Sequence, residues 1–317
     1  MAYTCYIKPY RTPSELVSDL LAKRLSFHNQ SAAEHLLSQI SYYHFKIYLH
    51  PLIDSQSQNQ KFYRVGEYFE SGIELYRFDE ALRLLMFRVI ARLELKLRSR
   101  LDHRLSALSQ DPFWYLDDKW FFRPSDIDLV RNRIATDFNR ESEMYAKNFR
   151  AKYYNNNHDI YKFLPPFWIA SELISFGQVY KIYAGLNYSY FNALPTPGNT
   201  ILNSLATEFG APNFKKFVNW IRCLRDVRNR CAHHSRLWNA NLPAPGGINH
   251  LLMTPPTLPN RFYSTAVVTW AMIKALGISD LPFNTELLIL FTTYPAAQTY
   301  QRSAGFPSNW NRDPFWN

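Results

Sequence analysis

The stretch Asn219-Trp-Ile-Arg-Cys-Leu-Arg-Asp-Val-Arg-Asn-Arg-Cys-Ala-His-His-Ser-Arg-Leu-Trp-Asn-Ala240 has the periodicity of an amphipathic helix. Successive helical residues lie about 100° apart, so residues three, four and seven apart share a side. One side here is apolar: Trp220, Leu224, Val227 and Cys231. The opposite side is polar: Arg225, Asp226, Asn229, His233 and Arg236, with Arg228 near the boundary. The pattern predicts a helix over 213–235 that buries its apolar side.

Helical patterns dominate the rest of the chain as well. Thr12, Pro13 and Glu15 are typical of a capped helix start. Longer helices are predicted over 68–104, 125–152 and 167–178. Gly72 is a candidate break point in the first of these. Few segments alternate apolar and polar residues, and ten glycines leave little material for a Rossmann or P-loop fold. The sequence therefore predicts an all-α protein.

A row of basic residues follows the predicted helix over 68–104, each member four residues after the last. Its members are Arg88, Arg92, Lys96, Arg100 and Arg104. Like charges at this spacing repel by a few tenths of a kcal/mol per pair. Two interpretations stay open: a solvated face relieved in part by Glu94 and Asp102, or a track that binds the RNA backbone.

Bulk properties limit the function classes. The chain has 317 residues, a net charge of +10 and a pI near 9.4. This surplus favours anionic partners, nucleic acid first, although a basic soluble protein without such a partner is equally consistent with it. Cys5, Cys223 and Cys231 form neither a disulfide framework nor a zinc pattern. Without a long apolar run or a leader segment, a cytoplasmic protein without membrane contact is expected.

The central stretch resembles a known motif. Arg228-Asn229-x-x-x-His233 is similar to the R-x4-6-H motif of the HEPN superfamily, and the longer run to Asn239 resembles the Abi-like (AbiD/AbiF) family of bacterial phage-defence proteins. Further blocks of that family occur in the same order. They are Ile40-Ser41-Tyr42-Tyr43, Leu75-Tyr76-x-Phe78-Asp79-x-x-Leu82-Arg83, Leu93-Glu94-x-x-Leu97-Arg98-Ser99 and Trp168-x-x-x-Glu172-x-x-Ser175-Phe176-Gly177. The resemblance covers about residues 8–240.

The resemblance implies RNA cleavage by the neighbouring 2′-hydroxyl, without a metal or another cofactor. His233 would move the proton, because imidazole titrates near neutral pH. Arg228 would clamp the phosphate with its planar fork, and Asn229, four residues before His233, would orient it. Other basic residues are candidates for RNA binding: Arg225, His234, Arg236 and the row Arg88, Arg92, Lys96, Arg100 and Arg104.

Spacing and resemblance together predict a homodimer. Arg228 and His233 are five residues apart, about 140° around an ideal helix. HEPN enzymes usually place two motifs across a dimer cleft, and this chain has one R-N-x-x-x-H. Ser235 stands where some HEPN toxins carry a modified tyrosine, so control by that modification is not expected. Whether the protein has an antitoxin as a further partner, RNA or protein, stays open.

The sequence therefore predicts an all-α, HEPN-like helical bundle in three segments. Residues 1–60 form an N-terminal helical extension, 61–242 the core, and 243–317 a helical and irregular segment packed on the core. The predicted function is that of a toxin-like, metal-independent endoribonuclease that cuts cellular RNA in phage defence. The alternative is a non-catalytic RNA-binding component of a defence ribonucleoprotein. A purely structural helical scaffold would show no salt-dependent RNA binding.

Overall fold

The fold is helical. The computed structural model describes residues 5–7, 9–56, 61–156, 158–194 and 198–317. Within these ranges there are helices and three isolated β-bridges but no strand, which confirms the all-α class. The α-helices are α1 (Pro13–Ala22), α2 (Gln30–Gln39), α3 (Tyr42–Phe45), α4 (Phe69–Ser109), α5 (Pro124–Arg140), α6 (Met144–Lys152), α7 (Phe167–Leu173), α8 (Phe176–Gly185), α9 (Tyr188–Ala193), α10 (Gly198–Glu208), α11 (Phe214–Ala232), α12 (Phe262–Ala275), α13 (Phe283–Thr293) and α14 (Pro295–Thr299).

Two compact units divide the chain. The first comprises Met1–Leu82 and Leu287–Ser303, and the second comprises Arg83–Glu286 and Ala304–Asn317. These units have other boundaries than the three predicted segments 1–60, 61–242 and 243–317, which remain a prediction. In the described residues no helix combines the length and the apolar composition that crossing a bilayer requires.

The first unit begins with a capped helix, as the sequence predicts. Thr12 accepts a hydrogen bond from the Glu15 amide at 3.3 Å, and the Glu15 carboxylate accepts one from the Thr12 amide at 2.7 Å. This reciprocal capping box satisfies two donors that a helix start would leave unpaired. Deeper in the unit, the buried Tyr48 hydroxyl donates to the buried Asp79 carboxylate at 2.7 Å.

Helix α4 runs unbroken for 41 residues, so the break considered at Gly72 does not occur. A Cβ at Gly72 would lie 2.4 Å from Cδ2 of the buried Leu49. The glycine therefore allows the side chain of Leu49 to pack directly on the first turns of α4. Glycine in a helix interior costs roughly 1 kcal/mol relative to alanine, and at this position it makes room for Leu49.

The core of the second unit follows the predicted apolar faces. Along α4, six residues of the predicted row in this unit are buried: Leu85, Val89, Leu93, Leu97, Leu101 and Leu105. On α11, Trp220, Leu224 and Val227 are wholly buried. Helix α8 contributes Tyr183, whose hydroxyl donates to the Leu97 carbonyl at 2.8 Å. Because the apolar side of α11 is buried, its polar side with Asn229 remains exposed and available for function.

Two predicted helices of the second unit are each split into two. The segment 125–152 forms α5 and α6, and 167–178 covers α7 and the start of α8. Ser175 causes the second break, since its hydroxyl accepts from the Gln178 amide while Gln178 Oε1 accepts from the Ser175 amide at 2.7 Å. This S-x-x-Q capping box starts a new helix, so the prediction of one continuous helix was wrong.

Aromatic residues close the second unit at its C-terminal end. Trp310, Phe315 and Trp316 are buried although the segment is irregular. The Trp270 indole donates to the Phe315 carbonyl at 3.0 Å, and the Asn284 amide donates to the Trp316 carbonyl at 2.8 Å. Indole and amide groups of α12 and α13 therefore satisfy backbone carbonyls of a tail that forms short 3-10 turns over Trp310–Arg312 and Pro314–Trp316.

Candidate functional site

Helix α11 ends three residues earlier than the sequence pattern predicts. Its last residue is Ala232, and His233 is the C-cap. His234 has a φ of +52°. The Ser235 amide donates to the Arg230 carbonyl at 2.8 Å, and the His234 amide donates to the Cys231 carbonyl at 3.3 Å. This is a Schellman arrangement, and the prediction of helix as far as 235 was wrong because the left-handed residue ends it.

The two histidines are thereby exposed at the end of the helix. His233 and His234 both have exposed side chains, and Asn229, one turn earlier, is exposed as well. The His233 amide donates to the Asn229 carbonyl at 3.0 Å, so the two residues stay one turn apart. The structure therefore brings two of the three predicted catalytic residues to one accessible helix end.

Arg228 points toward α4. Its Nε lies 4.0 Å from Oε2 of Glu94, and its guanidinium carbon lies 5.9 Å from the centre of the Phe87 ring. About a third of the side chain is exposed. Motif and spacing did not predict this contact, and the block Leu93-Glu94-x-x-Leu97-Arg98 was the only sequence signal for it.

Arg230 anchors the segment that follows the histidine pair. Its Nε donates to Asp226 at 3.0 Å, one turn earlier on α11. Its two terminal nitrogens donate to the carbonyls of Arg236 and Asn241 at 3.4 and 3.3 Å. In the sequence, the completely buried Trp238 lies between Arg236 and Asn241. Sequence reasoning assigned Arg230 no role, although its spacing of four from Asp226 indicates an ion pair.

Other residues of α11 have structural partners. The Arg225 guanidinium lies 4.4 Å from the centre of the Tyr180 ring, and Arg225 is half-buried. Cys223 is buried and its thiol lies 3.3 Å from the Pro243 carbonyl oxygen. Burial raises the pKa of the Cys223 thiol to about 12. This thiol therefore stays protonated near neutral pH and serves packing.

Acidic residues meet four members of the basic row on α4. Arg88 pairs with Glu286, Arg92 with Asp280, and both Arg100 and Arg104 with Glu208. The hydrogen bond from Arg92 lowers the pKa of the Asp280 carboxyl. The repulsion along the row is thus relieved by carboxylates from α10, α13 and the loop before α13. Binding of RNA by Arg88, Arg92, Lys96, Arg100 and Arg104 stays a prediction.

A groove of about 880 Å³ lies between α4 and α7. Arg98 and Ser171 line it together with the half-exposed Trp168 and the acidic residues Asp102 and Glu172. The carboxylates make this groove a poor fit for a phosphate backbone. Across the described ranges, His, Cys, Asp and Glu side chains form no group of three or more that could hold a metal ion.

His234 is a testable point of backbone strain. A left-handed conformation costs a non-glycine residue roughly 1 kcal/mol, and glycine is the usual residue at this helix position. We expect His234→Gly to stabilise the protein by about 0.5–1 kcal/mol, measured by urea unfolding. The matched control is His233→Gly, where φ is −99° and glycine should destabilise. Equal destabilisation by His234→Gly and His233→Gly would contradict backbone strain at His234.

The protein is thus all-helical in its described residues, and it exposes His233 and His234 at the end of α11, next to the last helical turns with Arg228 and Arg230. A model of the family described as Abi-like protein matches residues 35–239, more than half of the chain. The chain therefore belongs to the Abi-like protein family, as its sequence blocks predict. Membership indicates a part in abortive infection, a phage-defence response. Searches of curated proteins and of solved structures gave no significant match.

Proposed function

We propose that this protein is a toxin-like, metal-independent endoribonuclease of the HEPN type that cuts cellular RNA during phage defence. The observation that carries the proposal is the end of α11, where His233 and Asn229 are exposed. Arg228 supports it, because the guanidinium is held beside Glu94 while its terminal nitrogens have no hydrogen-bond partner among the described residues. A partly desolvated, pre-oriented arginine is well suited to stabilise charge on a phosphate.

The proposed reaction needs a group that accepts a proton, His233, and a cation beside the phosphate, Arg228. His233 takes the proton from a ribose 2′-hydroxyl, and the 2′-oxygen attacks the adjacent phosphorus. A P–O2′ bond forms, the P–O5′ bond breaks, and the leaving 5′-oxygen takes a proton from water. Arg228 stabilises the negative charge that builds on the non-bridging oxygens. The products are a 2′,3′-cyclic phosphate and a 5′-hydroxyl.

A homodimer is part of the proposal. Arg228 points toward α4, whereas His233 is exposed at the end of α11, and we propose that a second copy places its arginine opposite this histidine. Beside Arg228, α4 exposes an apolar stripe, which we call the α4 stripe: Leu84, Phe87, Ala91 and Leu95. Its large members are 69%, 44% and 58% exposed. A second copy packed on this stripe would bury it next to the site.

Leu95→Glu tests the α4 stripe. In a symmetric dimer both copies carry the change, so two carboxylates would be buried without partners. We expect the dimer dissociation constant to rise at least ~10-fold, measured by sedimentation velocity. Leu129→Glu is the matched control, because Leu129 is a 63% exposed leucine on α5. A monomeric wild type that cuts RNA, or a Leu95→Glu dimer as tight as the control, would overturn this interface.

The activity itself is tested with purified protein and total cellular RNA in the presence of EDTA. Cleavage that leaves 2′,3′-cyclic phosphate ends would support the proposed chemistry. Salt-sensitive RNA binding without cleavage would favour the alternative, a non-catalytic component of a defence ribonucleoprotein. Cleavage that stops in EDTA and returns with a divalent cation would contradict the metal-independent reaction. His233→Ala is the inactive variant for the same assay.

A further inference from the structure

Glu94 lies between two arginines of different elements. Its Oε1 accepts a hydrogen bond from Arg98 one turn along α4, and its Oε2 lies 4.0 Å from Arg228 Nε on α11. Arg98 in turn donates to the Ser171 carbonyl at the end of α7. Only 13% of the Glu94 side chain and 12% of the Arg98 side chain are exposed. The Glu94 carboxylate is therefore held by its partly buried contact with Arg98, independently of Arg228.

Glu94, Arg98 and Arg228 form a charged group with two arginines and one carboxylate. One carboxylate is shared by two guanidinium groups in a partly buried site, and the nearby carboxylates of Asp102 and Glu172 lie on the Arg98 side, in the groove between α4 and α7. Arg98 is committed to Glu94 and to the Ser171 carbonyl. Arg228 is the less tightly paired arginine, because its Nε faces the carboxylate at a distance longer than a hydrogen bond. An anion such as an RNA phosphate would balance its charge.

We propose that Glu94 is the positioning residue for Arg228, a role that rests on the proposed ribonuclease function. It holds the arginine near the Phe87 ring through Nε, which leaves the terminal nitrogens for the scissile phosphate. The long arginine side chain has many rotamers, so a partner that fixes it in advance lowers the entropic cost of forming the transition state. Glu94 acts through Arg228 and does not itself contact the substrate.

Glu94→Gln tests this role with little change in shape, since the amide oxygen still accepts from Arg98. We expect kcat for a short RNA to fall about 10- to 100-fold with KM nearly unchanged, because the contact serves the transition state. In an Arg228→Ala background the same change should cost no more than about 2-fold, since there is no arginine left to position. Equal losses in both backgrounds would show a general structural role and overturn the proposal.

Asp137→Asn is the matched control. Asp137 also pairs with an arginine one turn away, Arg133, on α5. We expect this variant to cleave RNA like the wild type, because it lies outside the proposed machinery. A kcat loss equal to that of Glu94→Gln would contradict a specific role for Glu94.

A second readout separates failure of this inference from failure of the proposed function. The ¹⁵Nε–H resonance of Arg228, assigned by its disappearance in Arg228→Lys, should shift and exchange faster with water in Glu94→Gln. This signal reports the contact even if the wild type cleaves no RNA. An unchanged resonance would overturn the positioning role, whereas a changed resonance in a protein without ribonuclease activity would contradict only the proposed function.

Discussion

His233→Ala is expected to lower the rate of RNA cleavage by roughly 10²- to 10⁴-fold, the range in which removal of a general acid–base group falls. The imidazole is exposed at the C-cap of α11, and helix termination rests on backbone hydrogen bonds that alanine retains. Stability should therefore change by less than about 0.5 kcal/mol, as for most surface substitutions. Initial rates on a short RNA and urea unfolding of the same preparation measure both quantities.

The matched control for this change is His250→Ala. His250 is an exposed histidine in the short 3-10 turn Asn249–Leu251, so the control removes the same group with similar exposure. It should cleave RNA and halt growth like the wild type. Equal toxicity of wild type and His233→Ala in cells would sink the enzyme interpretation, while RNA binding retained by His233→Ala would separate loss of chemistry from loss of binding.

The sequence predicted the buried faces because periodicity reports them directly. Leu93 and Leu97 of α4 and Trp220 and Leu224 of α11 all lie in the core as their spacing indicates. The end of α11 was placed wrongly for a local reason. Helix ends are usually indicated by glycine in the left-handed position, and here a histidine, His234, occupies it.

The sequence pattern did not predict which residues the arginines contact in the folded protein. The basic row has the same spacing whether it is solvated, binds RNA or pairs within the chain, and only the fold brings Asp280 and Glu286 to Arg92 and Arg88. The contact of Arg228 with Glu94 joins residues more than a hundred positions apart. Motif and spacing therefore predicted which residues to consider, and the fold decided which of them already have partners.

A mixture of two inactive variants should recover activity if the site is shared. Arg228→Ala keeps its histidine and His233→Ala keeps its arginine, so a heterodimer contains one site in which the arginine of one copy meets the histidine of the other. Random pairing makes half of the dimers heterodimers, each with one live site of two. We expect roughly a quarter of wild-type activity in the unseparated mixture and roughly half in heterodimers purified through two affinity tags, against about 1% or less for either variant alone.

The structural reason for recovery is the different direction of the two side chains. Arg228 lies against Glu94 and Phe87 of α4, while His233 is exposed at the end of α11, and in the proposed dimer the arginine of one copy meets the histidine of the other. A double variant, Arg228→Ala with His233→Ala, should rescue neither single variant, and adding Leu95→Glu to both partners should abolish the rescue. Wild-type activity in a dimer, with no recovery in purified heterodimers, would mean that each copy completes its own site.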